Sequence, residues 1–236
     1  LDYALFVAIG LAGSLASAVF GFGTALLVVA VGSHVIPVKT AIALGTVLFT
    51  ASTITKTALF GRHIDWQVVS IMAVGCLPFA YLGAQVLAIA PAETIKTALG
   101  LMVLAYLALS LTNRLPSFKI GFIGLAVGSA LYGFVSGLLG SGNLIKVILL
   151  REMKITKEAF VGAMAATSII SNLAKLTSYI RNDLLTADMV WPAAILAAGA
   201  VATAILGRSV LRKLKVRHFE IGVQILLGLA AAALLV

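Results

Sequence analysis

Apolar residues run along this chain in long stretches, broken only by short clusters of Gly, Pro, Asn and charged side chains. Read as elements, the pattern predicts a first segment over about Tyr3–Val19, a break at Gly21-Phe22-Gly23, and a short arm from Thr24 to about Val35. A long helix follows over Val38–Phe60, closed by Gly61-Arg62-His63, then helices over about Asp65–Ala88, with Pro78 as an internal kink, and Ala92–Leu111. After the Asn/Arg/Pro stretch from Thr112 to Pro116 the order starts again. A segment over Lys119–Leu139 breaks at Gly140-Ser141-Gly142 and resumes in an arm over Asn143–Leu150. Helices over Glu158–Tyr179, Ala187–Leu211 and Phe219–Val236 complete it. Runs near or above ~18 apolar residues mark membrane-crossing helices. A transmembrane barrel would instead alternate apolar and polar residues. The fold class expected is an all-α polytopic membrane protein.

Composition agrees. Hydrophobic residues make up 61% of the 236 and charged ones 11%, with a mean hydropathy of +1.14. A soluble domain needs about a quarter of its residues charged to clothe its surface. The formal charge of +9 lies mostly in short connections, as membrane topology demands, and not on a basic face mixed with aromatics, so nucleic acid is not an expected partner. Cys76 is the sole cysteine, which excludes an internal disulfide and a thiolate metal site. The first apolar run reads as structure rather than as a cleaved leader.

The restart is an internal duplication. A shift of 119 positions pairs Ser17 with Ser136, Gly21 with Gly140, Gly23 with Gly142, Ser52 with Ser171, Lys56 with Lys175 and Arg62 with Arg181. Two homologous halves of four helical segments, residues 1–113 and 114–236, form one membrane domain in this reading, each with its first segment broken at Gly-X-Gly.

Irregular backbone survives in hydrocarbon only against protein or water. Two short helices starting at Thr24 and Asn143, residue types that cap N-termini, would aim their free N–H groups at one central region and hold an anion there. Lys146 lies in the first turn of the second arm, where a cation is costly unless an anion answers it. The candidate substrate-binding residues are Gly21, Phe22, Gly23, Thr24, Thr50, Thr53, Gly140, Ser141, Gly142, Asn143, Lys146 and Asn172. Lys56 stands about 27 Å along its helix from Val38, near one interface, so Lys56, Lys175, Arg62 and Arg181 are assigned to gating or entry. The plainer readings are close packing of small residues and lysines reaching for the interface.

All eight carboxylates, from Asp2 to Glu220, fall at segment ends. No acid sits mid-membrane where proton-coupled carriers place one, and no HExxH or paired acid remains for an enzyme. The chain is not expected to be an enzyme, nor to carry a cofactor or metal site. A carboxylate-free, cation-lined path fits an anion facilitator or exporter, with sodium held by backbone carbonyls still open.

The run Phe20–Val29, the run Ile36–Thr46, the echo Gly137–Asn143, the turn Gly61–Trp66, and Pro78 with Leu82-Gly83 resemble the TauE/SafE family, the sulfite exporters or 4-TMS-duplicated anion permeases. The resemblance implies multi-pass bacterial inner-membrane transport of sulfite, sulfoacetate or related anions. Its partners would be a small anion and the lipid bilayer, with self-association open. The alternative is a non-transporting membrane subunit that anchors or assists a partner enzyme.

Charge does not decide the orientation of the repeats. Parallel halves put nine Lys and Arg on the side of Lys39 and four on the side of Arg62. Inverted halves, with each broken segment a re-entrant hairpin, put ten on the Arg62 side and three opposite. The positive-inside rule accepts both. The short arms, about 12–18 Å long at 1.5 Å per residue, favour inversion.

Overall fold

The structure is a computed structural model that describes residues 1–20, 24–112, 120–153 and 155–211. The expected break at Gly21-Phe22-Gly23, the inter-half linker and the expected segment Phe219–Val236 therefore lie outside the described residues. Those described are helical: α1 (Asp2–Phe20), α2 (Thr24–Gly32), α3 (Val38–Phe60), α4 (Trp66–Ile89), α5 (Ala92–Thr112), α6 (Phe122–Leu139), α7 (Asn143–Glu152), α8 (Lys157–Arg181) and α9 (Val190–Leu211), with 3₁₀ turns at Gly61–His63 and Ala187–Met189. Four helices within this set, α3, α4, α6 and the segment containing α9, are long and apolar enough to cross a membrane by length and composition. Local chemistry sets several ends. Pro37 precedes α3, Asp65 caps α4 through its carboxylate at 3.1 Å from the Gln67 and Val68 amides, and the Thr156 hydroxyl accepts from Ala159 to start α8.

Both broken segments fold back on themselves. At the end of α2, Gly32 lies against the Phe6 ring near the start of α1, and Gly13 lies against Val28. Gly128 of α6 lies against Leu149, and Gly142 against Tyr132. Each short arm therefore runs antiparallel to its own long helix and returns toward the side it came from. Gly140 makes the second reversal with φ of 79°, a left-handed backbone that glycine adopts without a Cβ penalty.

The helices then pair across the two sequence halves. α4 and α6 run side by side in the same direction, with Gly75 against Ala126 and Ser129, Gly133 against Cys76, and Gly137 against Ala80 and Ala84. Small residues permit that approach, which is how helices associate where lipid removes the hydrophobic drive. α1 and α9 do likewise, with Gly10 against Leu196, Gly199 against Leu11, and the Ser14 and Thr203 hydroxyls 2.7 Å apart. Between these pairs, α3 and α8 cross the middle in opposite directions. The first turns of α8, at Phe160 and Ala163, join Ile64 and Val68 in one apolar cluster, whereas Tyr179 near its end joins Val38 and Ile42 in another. Arg181 donates to the Tyr81 hydroxyl at 3.4 Å and Asn182 to Gln85 at 3.2 Å, both toward the far end of α4 from Arg62.

Candidate functional site

α8 is the least uniformly apolar of the long helices, and its polar residues are in phase. Ser168, Ser171, Asn172, Lys175 and Ser178 recur at three- and four-residue spacing, which places them on one stripe. On α6, Ser129, Tyr132 and Ser136 do the same, and all three are buried. The two stripes meet just where α6 breaks into α7.

Lys175 is 1% exposed, and its ammonium donates to the Gly140 carbonyl at 3.0 Å and to Ser136 Oγ at 3.1 Å. Ser171 Oγ donates to Ser136 Oγ at 3.2 Å. One turn further on, the Tyr179 hydroxyl donates to the Gly137 carbonyl at 2.7 Å. Lys175 and Tyr179 thus supply partners to carbonyls that the end of α6 leaves without intrahelical ones.

Lys146 enters the same knot from α7. It is fully buried, and its ammonium donates to the Met164 carbonyl at 2.8 Å, to Ser168 Oγ, and to Tyr132 Oη at 3.4 Å. It also lies 4.9 Å from the Tyr132 ring centre, within cation–π range. Ser168 is about half-way along α8, so Lys146 sits at mid-depth. Cys76 of α4, Lys175 of α8 and Lys56 of α3 lie within its electrostatic reach. Every hydrogen-bond partner of the two lysines is neutral. Among the described residues the only ion pair is the exposed Lys96–Glu93 contact at 3.2 Å.

Two further side chains complete the geometry. Ser141 Oγ and Asn172 Nδ2 belong to residues 5% and 4% exposed, and neither has a hydrogen-bond partner among the described residues. α7 begins without a side-chain cap: its N-cap residue is Gly142, and Asn143, expected to cap, is instead the first helical residue. Those two side chains and the two ammonium groups make a buried set rich in donors, and the uncapped first-turn N–H groups of α7, on half-buried residues, start beside Ser141. That is the chemistry of an oxyanion site.

The family description that matches the chain, over residues 5–234, is Sulfite exporter TauE/SafE. The chain belongs to the TauE/SafE family. Comparison with curated proteins and comparison with solved structures returned no match. TauE/SafE proteins are membrane transporters, and the apolar helices of this one accord with that; no carboxylate is among the buried polar side chains of the described residues.

In this TauE/SafE chain the structure brings together Gly140, Ser141, Gly142, Asn143, Lys146 and Lys175, and Asn172 lies buried on the α8 stripe that carries Lys175. Lys175, assigned to entry as the repeat partner of Lys56, donates to the Gly140 carbonyl at the break. The Thr50 and Thr53 hydroxyls donate to carbonyls of their own helix, Thr46 at 2.6 Å and Phe49 at 2.8 Å, and no hydrogen bond ties them to the knot. Arg62 and Arg181 are exposed at opposite ends of the bundle. Gly21, Phe22 and Gly23 lie outside the described residues, and Thr24 opens α2. Tyr132 and Ser136 were not singled out as binding residues from sequence. Their spacing, four residues apart and leading into Gly140, is the signal that marks them.

A cavity of about 440 Å³ opens at the bundle end that carries Lys39 and Lys96, with His34, Val38 and Leu184 also on its wall. Val38 and Leu184 share an apolar cluster with Ile42 and Tyr179, so this packing lies between the cavity and Lys175.

Proposed function

We propose that the chain is an exporter or permease for small sulfur-containing oxyanions such as sulfite, or organosulfonates such as sulfoacetate, in a bacterial inner membrane. The observation that carries this reading is the polar knot at the α6–α7 break: two buried lysines with no carboxylate partner among the described residues, beside the Ser141 and Asn172 side chains that have no partner among them either. A sulfur oxyanion accepts several hydrogen bonds at once and brings the negative charge that the lysines lack. Lys146, Lys175, Ser141, Asn172 and the first amides of α7 hold it. Lys56, one turn beyond the buried Ser52 on α3, is the counterpart on the other half, and Arg62 and Arg181 attract anions at the two mouths.

The two halves act as inverted repeats in this reading. Its support is the reciprocal pairing of α4 with α6 and α1 with α9, the opposite directions of α3 and α8, and the two fold-back arms. Such a pair can exchange shapes about a central site, so that each face opens in turn.

The test is flux. Purified protein in liposomes is expected to move radiolabelled sulfite saturably, above protein-free vesicles, with organosulfonates competing. Absence of protein-dependent flux for sulfite and for sulfonates would return the chain to the role of a non-transporting membrane subunit.

A further inference from the structure

Resting on the anion-site reading above, we propose that the site is matched to a dianion, a compact oxyanion head carrying two negative charges, and discriminates against monoanions of the same shape. The knot holds two ammonium groups, Lys146 and Lys175, on different helices, each with only neutral partners among the described residues: the Met164 and Gly140 carbonyls and the hydroxyls of Ser168, Tyr132 and Ser136. They are 0% and 1% exposed, so water does not share the charge. The ring of Tyr132 supplies one of them with a π face, a fraction of what a full counter-charge supplies.

An occupant with one charge answers one ammonium and leaves the other buried beside an already compensated neighbour, an arrangement that is costly in a low-dielectric interior. An occupant with two charges answers both. The remaining groups, Ser141 Oγ, Asn172 Nδ2 and the α7 amides, donate to an oxygen but have nothing favourable to offer a methyl or a longer apolar substituent. Replacing one oxyanion oxygen by carbon therefore loses a charge and a hydrogen-bond acceptor together.

Sulfate and methanesulfonate make this substitution cleanly, since they differ by one oxygen exchanged for one methyl and both are fully ionised across the neutral range. The experiment is equilibrium binding of sulfate, thiosulfate and fully deprotonated sulfite, against methanesulfonate, to the purified full chain in detergent. The tightest dianion is expected to bind about tenfold or more tightly than methanesulfonate, the scale of one uncompensated buried charge. Lys175→Met is expected to weaken the dianion more than methanesulfonate and so to shrink the ratio, in protein whose thermal unfolding shows it folded, and Lys175→Arg to keep it. Methanesulfonate binding as tightly as the dianions in the unmodified protein would overturn charge matching and leave the anion site standing. Binding of none of the four anions would instead overturn the anion site.

Discussion

Single cysteines introduced as Arg62→Cys and Arg181→Cys in a Cys76→Ala background are expected to react with an impermeant maleimide from opposite faces of the membrane. The reason is the direction of α8. Its first turns pack against Ile64, just past Arg62, whereas its last turn reaches Tyr81 and Gln85 on the far part of α4. Both arginines are exposed, so neither substitution removes a buried contact. Cys76 is buried against the α6 backbone at Gly133, and alanine keeps the side chain small there. Labelling in sealed, oriented vesicles gives an all-or-none answer. Reaction of both positions from one face would mean that α3 and α8 run in the same direction, and the inverted arrangement would be wrong.

The largest loss of stability is expected from widening the α4–α6 seam. A Cβ on Gly137 would lie 2.7 Å from the Ala84 nitrogen and 3.0 Å from the Gly83 carbonyl carbon, and backbone has no rotamer with which to yield. The two helices must separate, and the Gly137 carbonyl moves relative to the Tyr179 hydroxyl that bonds it. Gly137→Ala is expected to destabilise by about 1–3 kcal/mol, and Gly137→Val to prevent recovery of folded protein. Gly100→Ala is the matched control. It also lies within a helix, but nothing approaches its Cβ position within 4 Å. There the higher helix propensity of alanine should leave stability unchanged or raise it by up to ~1 kcal/mol. Thermal unfolding of the detergent-solubilised proteins measures both. Equal behaviour of the two alanine variants would contradict the close packing of α4 on α6.

How far the sequence discloses the fold depends on what each feature needs to know. Helix bounds are local, and apolar length with Gly and Pro punctuation carries them. The run expected over Val38–Phe60 is α3 itself, and the arm from Asn143 extends only two residues past Leu150. Whether an arm crosses or returns is not local, and the positive-inside rule accepts either arrangement. The antiparallel course of each arm shows in contacts between distant residues, Gly32 with Phe6 and Gly128 with Leu149, that no composition reveals.

The site divides in the same way. Lys146 and the Gly140–Gly142 break stand out because a cation and irregular backbone are both costly in a membrane. Lys175 is different. Its pairing with Lys56 suggests an interface, but position along a helix says nothing of which way a side chain faces. Here it faces the one carbonyl that the break leaves exposed to it. Tyr132 passes for ordinary packing in an apolar run until α7 folds back over it and sets Lys146 above its ring. The threonines of α3 are legible by type alone. Thr50 and Thr53 donate their hydroxyl protons to their own helix, which leaves their oxygens as acceptors.

Anion binding to Lys146 variants bears most directly on the claim that the knot is the transport site. Lys146 donates hydrogen bonds from full burial with no negative partner among the described residues, so on the proposed reading removing it takes away an anion contact and also a buried charge that costs folding free energy. Lys146→Ala is therefore expected to weaken sulfite binding by about 1.5–3 kcal/mol, on the order of 10- to 100-fold, without lowering thermal stability. Lys146→Arg keeps the charge on a differently shaped head and is expected to recover part of the affinity. An unchanged dissociation constant in Lys146→Ala, in protein that unfolds at the same temperature as the original, would place the anion elsewhere and contradict the account.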